Sequence, residues 1–207
     1  MPITEYFPTP IYSERLKSKG TEKFNRELLE QCYLVRETDP EGEEWSQEHY
    51  LGGYTSYGSI IDLHKRYPHF EELREMIDKH VKKFARHLEF DLQGGHLEMT
   101  SCWINIMSAQ TVHSLHLHPL SVVSGTYYVD VPKNASSIKF EDPRLDRMMA
   151  APPRLPKASR RNEIFVKMDP RAGQVALWES WLRHEVPPNR AKKDRVSISF
   201  NYDWVGR

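Results

Sequence analysis

The sequence predicts a mainly β fold, a double-stranded β-helix of jelly-roll or cupin-like form, with supporting α-helices on its N-terminal side. Three observations lead there. The hydrophobic period changes from helical to alternating near residue 97. A series of short β-branched and aromatic runs follows, separated by turn residues. Five Trp, ten Tyr and eight Phe stand among fourteen Pro and ten Gly, so bulky side chains meet frequent chain breakers.

The elements follow in order. Thr21 is placed to cap a first helix, with Phe24, Leu28 and Leu29 at helical spacing behind it. Residues 37–68 carry turn chemistry, Asp39-Pro40-Glu41-Gly42 and then Gly52-Gly53, and read mostly as loop. A second helix runs from about His69 to His87, where Phe70, Leu73, Ile77, Val81, Phe84 and Leu88 form one apolar stripe. That stripe needs a sheet to cover it. Strands are expected at Met99–Met107, Val122–Val131, Ser137–Glu141, Ile164–Met168, Gln174–Trp178 and Arg195–Tyr202, with His116–His118 extending or preceding the second. Between them lie Pro132-Lys133-Asn134, Asp142-Pro143, Asp169-Pro170 and Pro187-Pro188-Asn189. The stretch 142–163 is basic, with Arg144, Arg147, Arg154, Arg160 and Arg161, and is too long for a tight hairpin.

A chain of 207 residues accommodates one domain, 1–207, with residues 1–95 as a helical and irregular layer and 96–207 as the β core. Lys plus Arg equal Asp plus Glu at 29 each, which argues against bulk nucleic-acid binding or adhesion to an acidic membrane. No apolar run reaches bilayer length, and the first residues lack a basic, apolar leader, so a cytoplasmic location is expected. Cys32 and Cys102 read as two buried, reduced thiols.

The chemistry concentrates in His116, His118 and His184, followed by Arg195 and Ser197. On a strand, residues 116 and 118 share a face and can reach one metal ion. A remote third histidine completes a set that leaves coordination sites open. Imidazole suits iron, zinc and copper alike, so the spacing argues for a site without choosing the ion. Arg195 and Ser197, also two apart, offer a guanidinium fork and a hydroxyl to an anionic co-substrate. His113, at an odd offset from His116, is expected to point away. His96-Leu97-Glu98 forms a competing pair that could make a two-histidine, one-carboxylate triad with His184.

Three runs carry a definite resemblance: His116-Leu117-His118-Pro119, Ser124-Gly125-Thr126-Tyr127-Tyr128-Val129, and Phe140-Glu141-Asp142-Pro143-Arg144. Gly173 to Trp178, Trp181 to Val186, and Arg195 to Asn201 add to it. Together, over roughly residues 99–204, the chain resembles a family of 2-oxoglutarate-Fe(II) oxygenases.

The resemblance implies a double-stranded β-helix with its metal ligands near one open end, and Fe(II) and 2-oxoglutarate as cofactors. It implies His116 and His184 as the first and last ligands. His118 stands where the wider superfamily has Asp or Glu, leaving the centre one charge more positive. Halide-transferring relatives carry a small residue there, so halogenation is not implied. The expected reaction hydroxylates a small-molecule or peptide substrate with molecular oxygen, releasing succinate and CO2. Arg195 and Ser197 would hold the far carboxylate of 2-oxoglutarate. Tyr127, one of two adjacent tyrosines on opposite strand faces, and Asn105 are expected to assist, with Asn201 lining the same cavity. Trp178 and Trp181 are expected to pack the barrel end. Gly52–Tyr57 and the basic loop are candidates for its rim, and a homodimer is an open option.

Three other readings use the same residues. A three-histidine zinc hydrolase or hydratase would ionise water and needs no Arg195 beside it. A three-histidine iron dioxygenase would dispense with 2-oxoglutarate. A bare β-barrel binding module would hold no metal.

Overall fold

The computed structural model describes residues 2–16 and 19–206. Ten strands form two antiparallel sheets. The strands are β1 (Tyr12–Arg15), β2 (Tyr54–Thr55), β3 (His96–Met107), β4 (His113–His116), β5 (Val123–Asp130), β6 (Ile138–Glu141), β7 (Phe165–Met168), β8 (Gln174–Glu179), β9 (His184–Val186) and β10 (Arg195–Val205). One sheet has six strands in the order β1-β8-β5-β10-β3-β2; the other has four, β4-β9-β6-β7. Among the described residues four α-helices, α1 (Thr21–Glu37), α2 (Pro40–His49), α3 (Leu63–Arg66) and α4 (Pro68–His87), accompany the sheets. The layered β architecture with N-terminal helices agrees with the sequence-based expectation.

The large sheet is amphipathic in an unusual sense. On β10, Val196, Ile198, Phe200 and Tyr202 are buried in the core beneath the helices. The alternate residues Arg195, Ser197 and Ser199 line a cavity on the other face. β3 repeats this, with Cys102, Ile104 and Ile106 buried among the helices and apolar strand neighbours, and Trp103, Asn105 and Met107 towards the cavity. The stripe of α4, Phe70, Leu73, Ile77, Val81 and Phe84, is fully buried in that core. Each such side chain contributes about 1.5–3 kcal/mol of burial. A second, smaller core between the sheets holds Tyr50, Met107, Phe140, Ala176, Trp178 and Leu182.

Several expectations need correction. Residues 37–68 are largely structured. Asp39 caps α2 by accepting from the Gly42 amide at 3.0 Å, with Pro40 opening the helix. The same carboxylate accepts from the Tyr54 hydroxyl at 2.8 Å and Ser59 Oγ at 2.6 Å, which ties the helix to β2 and the turn after it. At α1, Gly20 occupies the cap with φ 74° and Thr21 opens the helix. Strand β4 ends at His116, so His118 lies beyond it. β10 continues to Val205, and β1, β2 and β9 were not anticipated. Cys32 and Cys102 are both free and buried, as expected.

Candidate active site

The site lies between the sheets at the end where β4 and β9 meet. His116 pairs directly with His184 across these strands, which brings two imidazoles together. His118 arrives from the following turn, where its amide donates to the Ser180 carbonyl at 3.0 Å. Ring centroids are 4.3 Å apart for His116 and His184, 5.2 Å for His116 and His118, and 5.1 Å for His118 and His184. One ring nitrogen from each of the three lies within 4.8 Å of the others.

Each ring has its Nδ1 engaged. His116 Nδ1 meets the Ser114 carbonyl at 2.6 Å, and His184 Nδ1 meets the Leu182 carbonyl at 2.9 Å. A carbonyl only accepts, so both Nδ1 atoms carry the proton and both Nε2 atoms keep a free lone pair. His118 Nδ1 meets Asn201 Oδ1 at 2.5 Å and Ser124 Oγ at 3.0 Å. Three lone pairs are thus prepared for one electron-deficient centre. Burial reinforces this. Desolvation drives all three rings below the ordinary imidazole range, His118 to about 4, so they are neutral near pH 7.

At the other side of the same cavity stands Arg195, 2% exposed. Its Nη1 donates to Met107 Sδ at 2.8 Å, and its Nε has no hydrogen-bond partner. The Tyr128 ring centroid lies 5.1 Å from the guanidinium carbon. Among the described residues, no carboxylate forms an ion pair with it. A buried, always-charged group without an acid is costly, and an incoming carboxylate is the natural complement. Buried Asn189 donates to the Met107 carbonyl at 2.7 Å, fixing the strand end beside Arg195. The cavity is narrow, lined by Tyr50, Trp103, Met107 and Trp178 beside the polar groups.

Ser197 and Asn105 line this cavity, as the sequence suggested. Asn105 Oδ1 accepts from Thr55 Oγ1 at 2.9 Å, and its amide donates to Ser199 Oγ at 3.0 Å. Tyr127 is a correction. It shares the parity of Val123 and Val129 on β5, points under α1, and donates to Asn25 Oδ1 at 2.6 Å. Tyr128, its neighbour, lies at Arg195 instead. The alternation with two valines was the signal that distinguishes them.

His113 is a second correction. An irregularity between His113 and His116 brings their rings into a stack at 4.5 Å, so His113 faces the site without joining the three convergent nitrogens. His96 and Glu98 sit 3.6 Å apart at the far end of β3, lining a separate hollow, and do not approach His184. Asn201 touches His118 rather than the inner cavity. Trp178 packs edge-on against His184 at 4.7 Å; Trp181 is exposed. In the basic loop, Arg144 pairs with Asp142 and Arg161 with Glu5, and none of its residues lines either hollow at the histidines. Sequence reasoning passed over Met107, Thr126 and Ser199 as cavity residues, although Ser199 continues the parity of Arg195 and Ser197.

Residues 101–201 match the family described as "Putative 2OG-Fe(II) oxygenase". That span agrees with the resemblance read from the sequence. Among curated proteins, none matches the chain. Solved structures do. A prolyl-4-hydroxylase from Pseudomonas putida aligns at 14% identity and TM-score 0.64, over 96% of this chain and 94% of that one. HygX from Streptomyces hygroscopicus, solved with nickel, 2-oxoglutarate and hygromycin B bound, aligns at 16% identity and TM-score 0.60, over 94% and 83%. An oxidoreductase of the 2OG-Fe(II) oxygenase family from Burkholderia pseudomallei aligns over 66% of this chain but 57% of that one, at 17% identity and TM-score 0.49, too partial a likeness to count towards the fold. The first two establish the double-stranded β-helix.

Proposed function

We propose that this chain, whose residues 101–201 match a 2OG-Fe(II) oxygenase family, is such an oxygenase and hydroxylates a substrate C–H bond using His116, His118 and His184 as the metal ligands. The carrying observation is the pairing of three free imidazole lone pairs with a buried guanidinium that lacks an acid. The donor set fits Fe(II), which tolerates neutral nitrogen ligands, and the unpartnered Arg195 fits the far carboxylate of 2-oxoglutarate. When bound, Fe(II) supplies oxygen activation, so that substrate, O2 and 2-oxoglutarate become hydroxylated product, succinate and CO2.

The protein's own residues bind and orient. Arg195, with Ser197 beside it on the strand face, holds the dicarboxylate from the inner side. Ser114, Leu182 and Asn201 engage the three rings at Nδ1, which leaves each Nε2 as the atom to bind metal. Trp178 and Phe140 pack against His184 and exclude water from its buried side. Asn105 and Ser199 keep the cavity wall polar and hydrogen-bonded.

Anaerobic titration with Fe(II) and 2-oxoglutarate tests the assignment. A visible charge-transfer band and succinate formation on admitting oxygen are expected, with both lost in His116→Ala. Tight zinc binding with no band and no succinate would favour the hydrolase reading. A buried, acid-free arginine has no role in that reading.

A further inference from the structure

A second hollow, of about 520 Å³, borders the histidines, and His116 and His118 line both it and the inner cavity. Its walls are aromatic. Trp45 meets Tyr57 edge-on at 6.2 Å, Tyr57 meets Trp103 edge-on at 5.2 Å, and Trp103 lies 5.7 Å from His118. Leu51, Val112 and Leu117 line it while exposed to solvent. Among the described residues lining it there is no Lys or Arg, and Glu48 is the sole acid.

Resting on the proposed function, we propose that this hollow receives the substrate, and that the substrate presents a ring-bearing apolar group that is uncharged or cationic, never anionic. The physical case has three parts. Exposed apolar side chains gathered round a concavity mark a binding surface. Aromatic faces are electron-rich, so they attract cations and apolar rings and repel anions. An anion entering here would lose hydration, meet Glu48, and find no Lys or Arg side chain among the described lining residues, because Arg195 lies in the inner cavity and the basic loop lies elsewhere.

A matched probe series tests this on Zn(II)-loaded protein saturated with 2-oxoglutarate, a complex that does not turn over. Indole, tryptamine and indole-3-acetate share one ring system and differ in charge. Ligand-observed NMR is expected to give indole and tryptamine Kd values at least tenfold below that of indole-3-acetate. Tyr57→Ala, at a half-exposed position, is expected to weaken indole at least fivefold. Val112→Lys, which adds the missing cation, is expected to bring indole-3-acetate within about threefold of indole. Equal or tighter binding of indole-3-acetate, no binding of indole and tryptamine, or indifference to both variants would overturn the proposal. 2-Oxoglutarate binding is measured first in the same samples; its absence counts against the oxygenase assignment of the residues, not against the charge preference.

Discussion

Replacing Arg195 with Met separates a binding role from a structural one by the sign of two effects. In the ligand-free protein the guanidinium is 2% exposed and meets a methionine sulfur and the Tyr128 side chain, with no carboxylate among the described residues to offset its lost hydration. The desolvation penalty of a buried ion is several kcal/mol. The ring returns about 0.5–2 kcal/mol, and a hydrogen bond to sulfur returns less than one to oxygen. Met fills much of the same volume without the charge. Ligand-free Arg195→Met should therefore be more stable by about 1–3 kcal/mol, by analogy with buried charges replaced by apolar side chains. In a chain of this length that raises Tm by about 2–12 °C. Binding should move the other way. Removing one partner of a buried charge pair costs about 2–5 kcal/mol, a rise in the Kd for 2-oxoglutarate from about 30-fold to several thousand-fold. Calorimetric melting without ligand and anaerobic 2-oxoglutarate titration measure both. A lower Tm with unchanged 2-oxoglutarate affinity would refute the reasoning, because Arg195 would then be a structural member of the core.

Three further outcomes are expected. Asn201→Ala frees His118 Nδ1 on one side while Ser124 remains, and should weaken Co(II) binding about 10–100-fold in an optical titration with little change in Tm. Gly125→Ala places a Cβ 2.5 Å from the Phe200 ring and 2.6 Å from the Ala176 carbonyl, between two paired strands; urea unfolding should show a loss of about 1–3 kcal/mol. In the metal-free protein, burial lowers His113 to about 3 and His118 to about 4, below their unfolded value of 6.5. Protons then favour the unfolded chain, so stability is full above pH 6.5 and falls as the pH drops from 6.5 to about 4 for His118 and to about 3 for His113. Tm measured across that range should fall less steeply in His113→Phe, and an identical slope in the variant would count against the assignment.

What was legible in the sequence was whatever a short repeat can encode. Arg195, Ser197 and Ser199 face one way because a strand alternates, and the stripe of α4 is buried because a helix turns. Other features depend on partners distant in the chain. The convergence of His116 and His118 was anticipated from a shared strand face, yet β4 ends at His116 and His118 is set by Ser180 and Asn201. The Asp39-Pro40 pair signals a turn and a helix start equally well, and tertiary contacts to Tyr54 and Ser59 accompany the second. The side of β5 that faces α1 decides between Tyr127 and Tyr128, and only the assembled layers reveal it. That Arg195 lacks an acid partner is likewise invisible until every carboxylate has its place.

The three imidazoles are not equally open to change. Ser114 and Leu182 steer two of them through main-chain oxygens, atoms that every amino acid supplies, so no single codon change there deletes the anchor. The third hangs on the Asn201 side chain, which one mutation can shorten, charge or invert. Natural variation or laboratory evolution seeking to re-aim one imidazole thus has one adjustable screw, and it turns His118.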